Sequence, residues 1–381
     1  MFCLGVEMNR HGLTRTEIAV LAFCILVLVS LFLPSVGGPR NPGRRGHCLN
    51  NLRGIGQASI NHALQKGHFP GYAMDFGTFD ANDWSNVDDM LPTDATMVSH
   101  RKIGTWVVAI LPYVDQQPVY ELWTDDRFPI VFANSDSKKS KTQFAVDQYS
   151  QFAAASISTF RCPSDTRDIS LGANSYACNA GMYHASPVGG VSFAKSMSTA
   201  NGVFNNKFAG LDQNGKAVAT GPNVGIDDIT DGLSQTLLIA ENMNARPWHR
   251  VGFANPKDLL VPADNSEIRY PTGARYAQGL VWHYEHDGGA GGAPKVADVH
   301  RVNGVPVGEQ MDDLPMTPAN AADLARPSSF HTDGVNAVFA DGSTRLITST
   351  VDYRVYQAIL TPNGEQSDCP DPNYVFSEDF E

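Results

Sequence analysis

The chain has 381 residues, enough for one large or two modest domains. Lys and Arg total 28 against 40 Asp and Glu, and the resulting net charge of −12 excludes nucleic acid as the main partner. With 34 Gly, 23 Pro and 18% charged residues, a loop-rich β protein fits better than a helical bundle, and 6 cysteines permit only local staples.

Residues 1–12 are a polar leader ending in Gly12, with Met8 as a second possible start. Behind it, Leu13-Thr-Arg-Thr-Glu17 opens a run that carries no charge from Ile18 to Leu33. The 21 residues from Leu13 to Leu33 match the length of about 20 that a membrane-spanning helix needs. An acid at the edge of such a helix is costly unless it is paired. Gly12 followed by Leu-Thr-Arg-Thr-Glu resembles the type IV prepilin processing site. That resemblance implies cleavage after Gly12 by a prepilin peptidase, methylation of Leu13, and pairing of Glu17 with the amine of a neighbouring subunit. Arg15 departs from the pattern, which prefers an apolar residue there. Two plainer readings stay open: a secretory signal peptide cut near Ser35-Val36-Gly37, and an uncleaved anchor that spans once. Arg10 and Arg15 precede the run while Arg40, Arg44 and Arg45 follow it, so the positive-inside rule leaves orientation open.

Pro34, Gly37, Gly38, Pro39, Pro42 and Gly43 predict a break, and a second helix is expected from about Arg44 to Lys66. Its Leu49, Leu52, Ile55, Ser59 and Ala63 share one face, and Gly67 ends it. Asp75, Asp80, Asp83, Asp88 and Asp89 crowd residues 73–100 without calcium-loop spacing, which predicts a solvated loop. The aromatics of Thr105–Trp123 predict core, and residues 124–157 predict mostly surface. Cys162 and Cys178 stand 16 positions apart. A disulfide joining them would close a short loop and contribute about 3 kcal/mol; without a CxxC pair no zinc is expected there.

Thr236–Ala240 predicts a buried strand ending in Glu241, a carboxylate read either as functional or as an anchor for a neighbouring loop. His283, Glu285, His286, Asp287 and His300 surround the glycines at 288–292; their spacing is not that of a zinc protease, and an exposed loop is expected. Near the end, Val335–Ala340 and Ser343–Thr348 predict a hairpin closed by a two-residue Asp341-Gly342 turn. That register opposes Phe339 to Thr344 and Ala337 to Leu346, with Val335, Ala337, Phe339 and Leu346 facing inward. His331 precedes the first strand and Asp341 ends it, so roughly 20 Å separates them and they cannot form a catalytic pair. A Gly-x-Ser-x-Gly elbow, a P-loop and a dinucleotide fingerprint are all missing from the sequence, so no enzyme, cofactor or metal is expected.

Several blocks, taken in order, resemble one family. They are Cys48-Leu-Asn-Asn-Leu52, Gly67-His-Phe-Pro70, Leu111-Pro-Tyr-Val-Asp-Gln-Gln117, Cys162-Pro-Ser-Asp165, Asp231-Gly232 with Glu241, and His331-x(9)-Asp341-Gly342. They resemble the bacterial prepilin-like proteins that carry domain of unknown function 1559. The resemblance implies an α+β, pilin-like fold: a transmembrane or assembly helix over 13–36, then an exported head over 44–381. In that head a second helix lies on an antiparallel sheet with long loops and a C-terminal hairpin over 330–349. It also implies an exported structural subunit held in the inner membrane by a single pass, its head in the periplasm or at the cell surface, with the prepilin peptidase and other pilin-like subunits as partners. The alternative is an unprocessed anchor whose head binds a glycan or protein through its loops.

Overall fold

The computed structural model describes residues 14–36, 40–82, 95–96, 99–131, 133–134, 149–169, 171–185, 188–211, 217–252, 273–286, 293–306, 308–310, 314–331 and 333–375. Gly12, Leu13, Asp83, Asp88, Asp89 and Asp287 lie outside them. The chain divides into two units, residues 1–43 and 44–381.

In the first unit, helix α1 spans Arg15–Val36. Thr14 and Glu17 start it as a capping box. The Thr14 N–H donates to the Glu17 carboxylate at 2.8 Å, and the Glu17 N–H donates to the Thr14 hydroxyl at 3.4 Å. Side chains are described through Leu28, and those of Ile18, Val20, Leu21 and Phe23 are exposed. Among the described residues no helix is long and apolar enough to cross a membrane.

Helix α2 spans Arg40–Lys66 and starts four residues before the expected boundary. Pro42 falls in its first turn, where a missing N–H breaks no intrahelical bond. The buried ladder is Cys48, Leu52, Ile55, Ser59 and Ala63, with Cys48 standing where Leu49 was expected. Gly67 ends the helix at φ +78°, a left-handed conformation that costs glycine little.

Five strands form the main sheet of the second unit: β1 (Tyr176–Met182), β2 (Leu237–Glu241), β3 (Gly279–Trp282), β4 (Gly334–Phe339) and β5 (Thr344–Thr348), in the order β5-β4-β2-β1-β3. The expected all-antiparallel sheet is corrected at one edge, where β3 runs parallel to β1. Parallel neighbours cannot be joined by a tight hairpin, and here the chain passes through β2 between β1 and β3. Helix α3 (Tyr353–Leu360) follows the hairpin. Cys178, Ile239 and Val338 share a buried cluster with Cys48, Leu52 and Ile55 of α2. Ala177, Ala240 and Ala337 belong to a second cluster with Tyr353, Tyr356 and Ile359 of α3. The layers are thus α2, sheet, α3.

The hairpin register differs from expectation by one residue. Val338 opposes Thr344 and Ala337 opposes Arg345. Ala340, Asp341 and Gly342 form the loop: the Gly342 N–H donates to the Phe339 carbonyl, the Phe339 N–H to the Ser343 carbonyl, and Gly342 sits at φ +82°. A type I turn followed by a left-handed glycine makes a three-residue loop, not two. One residue of slip turns every β5 side chain over. Ile347, opposite Val335, is therefore the buried residue of β5, and Leu346 is only half-buried. Val335, Ala337 and Phe339 do share one cluster, as expected.

Candidate functional site

Residues from separated parts of the chain meet where the first half of α2 crosses the sheet. Cys48 forms a disulfide with Cys162, their Cα atoms 5.0 Å apart. This corrects the expected Cys162–Cys178 bridge. Cys178 lies in the middle of the sheet opposite Ile239, and its thiol donates to the Gln278 carbonyl at 3.4 Å. Cys162 lies instead in the turn before β1, under α2.

The turn is built to hold Cys162 there. The Asp165 N–H donates to the Cys162 carbonyl, and the Cys162 N–H donates to the Ser175 hydroxyl at 3.0 Å. Ser175 in turn donates to the Asp165 carboxylate at 2.7 Å, which Arg167 also grips at 2.6 Å. Burial raises the Asp165 pKa, but the bonds from Arg167 and Ser175 outweigh it and hold the carboxyl below its ordinary value. Asn51, one turn along from Cys48, donates to the Arg161 carbonyl at 3.1 Å.

His331 closes the cluster. Its Nε2 lies 3.7 Å from Cys162 Sγ and 3.3 Å from Glu241 Oε1. Glu241, at the end of β2, is 2% exposed and accepts from the Asn336 backbone N–H at 2.8 Å and from its side-chain amide at 3.1 Å. Asn336 Oδ1 accepts from Arg45 at 3.4 Å. The network thus starts on α2 at Arg45 and returns to it at Cys48. Glu241 anchors the neighbouring strand β4 through Asn336, where a loop was the expected partner. A nucleophile relay needs the two imidazole nitrogens on opposite partners. Here the same nitrogen faces both the sulfur and the carboxylate, so this is no Cys-His-Glu triad.

The other end of the His331-x(9)-Asp341-Gly342 motif also touches α2. A Cβ placed on Gly342 would lie 3.7 Å from both Gln57 and Ile60. Midway, a Cβ on Gly56 would meet Val338 at 2.4 Å, so only glycine lets helix and strand approach this closely. The motif therefore frames a single strand, β4, which meets α2 at Arg45 through Asn336 and at Gly56 through Val338.

The Asp231-Gly232 block is held by the segment that follows α3. The N–H groups of Thr230 and Asp231 donate to the Pro362 carbonyl, and the Gly364 N–H donates to the Asp231 carboxylate at 2.6 Å. A family model described as a protein of unknown function, DUF1559, matches residues 39–354. The chain belongs to the DUF1559 family. The match spans α2, the disulfide and every strand of the main sheet. No curated protein and no solved structure matches the chain.

A second cluster was expected to be solvent-exposed loop and is buried instead. His300 Nδ1 lies 2.8 Å from Glu285, and its Nε2 lies 3.2 Å from Asp323. Carboxylates only accept, so His300 is read as the imidazolium. His283 stacks on it with ring centroids 3.5 Å apart and planes 6° from parallel. His283, His300 and Asp323 are near enough together to suggest a metal. Parallel rings cannot aim lone pairs at one ion without splaying, however, so we read an ionic stack. Desolvation chiefly pushes the His283 pKa down to about 3, leaving it neutral beneath the cation. In the sequence Glu285 was singled out with the histidines, and Asp323 carried no signal. Asn336, missed as well, stood out only as a polar residue inside an apolar strand.

Proposed function

We propose that this DUF1559 protein is an exported, membrane-anchored, pilin-like structural subunit, processed after Gly12 by a prepilin peptidase and assembled with other pilin-like subunits. The observation that carries the reading is the joint of α2 to its head: the Cys48–Cys162 disulfide and the close approach of Gly56 to Val338. A helix that must carry a folded head needs such a rigid joint more than a catalytic cleft does. The Thr14–Glu17 capping box gives Glu17 a partner within its own chain, and assembly would exchange that bond for a neighbour's N-terminal amine. A second reading is a head that binds a glycan. A cleft of about 670 Å³ at the C-terminal end of α2 favours it, with Phe76, Tyr113 and Tyr120 beside His62, Gln65 and Gln117. Apolar ring faces next to amides suit a sugar ring and its hydroxyls.

The deciding measurement is the mass of the mature N-terminus from native membranes. A chain beginning at methylated Leu13 is expected, with Glu17→Ala leaving that processing intact while abolishing co-purification of other prepilin-like subunits. Normal incorporation of Glu17→Ala would contradict the subunit reading. A chain beginning at Met1 or Met8 would favour the second.

A further inference from the structure

We propose that Cys48, Cys162, Glu241 and His331 form a redox-gated zinc site: a disulfide when oxidised, and a four-ligand site for a single zinc ion when reduced. This inference stands apart from the subunit reading and needs neither processing nor assembly. One ligand atom from each of the four residues falls within 4.8 Å of the others. Tetrahedral zinc, with bonds of about 2.0–2.3 Å, places nitrogen and oxygen ligands roughly 3.3 Å apart and sulfur and nitrogen roughly 3.6 Å apart. The observed separations are 3.3 Å from His331 Nε2 to Glu241 Oε1 and 3.7 Å from His331 Nε2 to Cys162 Sγ. Those two edges of the tetrahedron are already in place. The largest change required is for the two sulfurs to part.

The support around the ligands is also present. Asn336 fixes the Glu241 carboxylate through two different N–H groups, the kind of outer contact that orients metal ligands. A small cavity lined by Cys162, Ser175 and Glu241 adjoins the bridge. His331 is the most exposed of the four and gives the ion its way in. A plain staple explains the bridge but requires neither an imidazole nor a buried carboxylate beside it. In the reducing step a dithiol gives two electrons and two protons to the S–S bond, which breaks into two thiols while the dithiol closes to its own disulfide. Zinc binding then displaces both thiol protons to solvent; the two thiolates balance the dication, and the Glu241 carboxylate leaves the filled site with one net negative charge.

The test uses the full chain in detergent, either oxidised or reduced with a phosphine, which leaves as its oxide. Each form is exposed to zinc chloride, freed of unbound metal and assayed for bound zinc; cobalt is loaded in parallel. The reduced chain is expected to retain a single equivalent and the oxidised chain none, with thiolate-to-cobalt charge-transfer absorption only after reduction. His331→Gln and Glu241→Gln should each weaken retention at least about tenfold, and Cys178→Ser should leave it unchanged. A reduced chain that holds no zinc would overturn the proposal, as would retention undiminished by Cys162→Ser. Should Cys162→Ser fail to fold, undiminished retention by His331→Gln overturns it equally.

Discussion

His300 shows how a single protonation state can be read from geometry. Burial works against its charge, but the bonds to Asp323 and Glu285 outweigh it and raise the pKa above the ordinary value. A raised folded pKa stabilises the native state fully below the unfolded value of about 6.5, and that contribution fades as pH climbs through the folded value. Lys102 and Lys207, both lowered to about 8 by burial, work in the opposite sense at higher pH. Between about pH 6 and pH 8, the urea midpoint of the wild-type chain should therefore fall relative to that of His300→Gln. Parallel midpoints over that window would contradict the ionic stack. At this scale the sequence was only half legible. Cys162 and His331 were singled out, but the partner of Cys162 was not. Chain separation favours the nearer Cys178, whereas tertiary packing decides which thiols meet. Cys48 did carry a signal, because it continues the three- and four-residue ladder of α2.

Between elements, the seam of α2 and β4 is where side-chain size matters most. Gly56→Ala gains helix propensity of up to about 1 kcal/mol, yet its methyl group would press on Val338. Overpacking of this kind costs about 1–3 kcal/mol, so a net loss of up to about 2 kcal/mol is expected in chemical denaturation. A more stable Gly56→Ala chain would show that the seam is looser than described. Both long elements of the seam were legible from periodicity. Their register was not, since an Asp-Gly pair closes two-residue and three-residue loops alike. Only the φ of Gly342 and the hydrogen bonds around it separate the two, and with them which face of β5 is buried.

Across the whole molecule, Cys48–Cys162 joins residues 114 positions apart. Closing a loop of that size takes more entropy from the unfolded chain than the short bridge first expected would, about 4.7 kcal/mol for roughly 100 residues. Replacing both cysteines by serine should lower unfolding free energy by about 2–5 kcal/mol under non-reducing conditions. An unchanged midpoint would mean that the seam alone holds α2. The α+β class and the layering of α2 on the sheet came from the family resemblance, whereas composition alone pointed to a loop-rich β protein. The parallel edge was not legible, because strand direction depends on a crossover whose path leaves no local signature.

The strand that receives α2 is made almost last. More than 260 residues separate Lys66 from Gly334, so a growing chain presents the apolar side of α2 long before its seat exists. During that interval Cys162, β1 and β2 are already made, but Gly56 has no Val338 to pack against. The seam therefore closes last, and a chain halted before β4 leaves that strip of α2 uncovered for a holding chaperone to find.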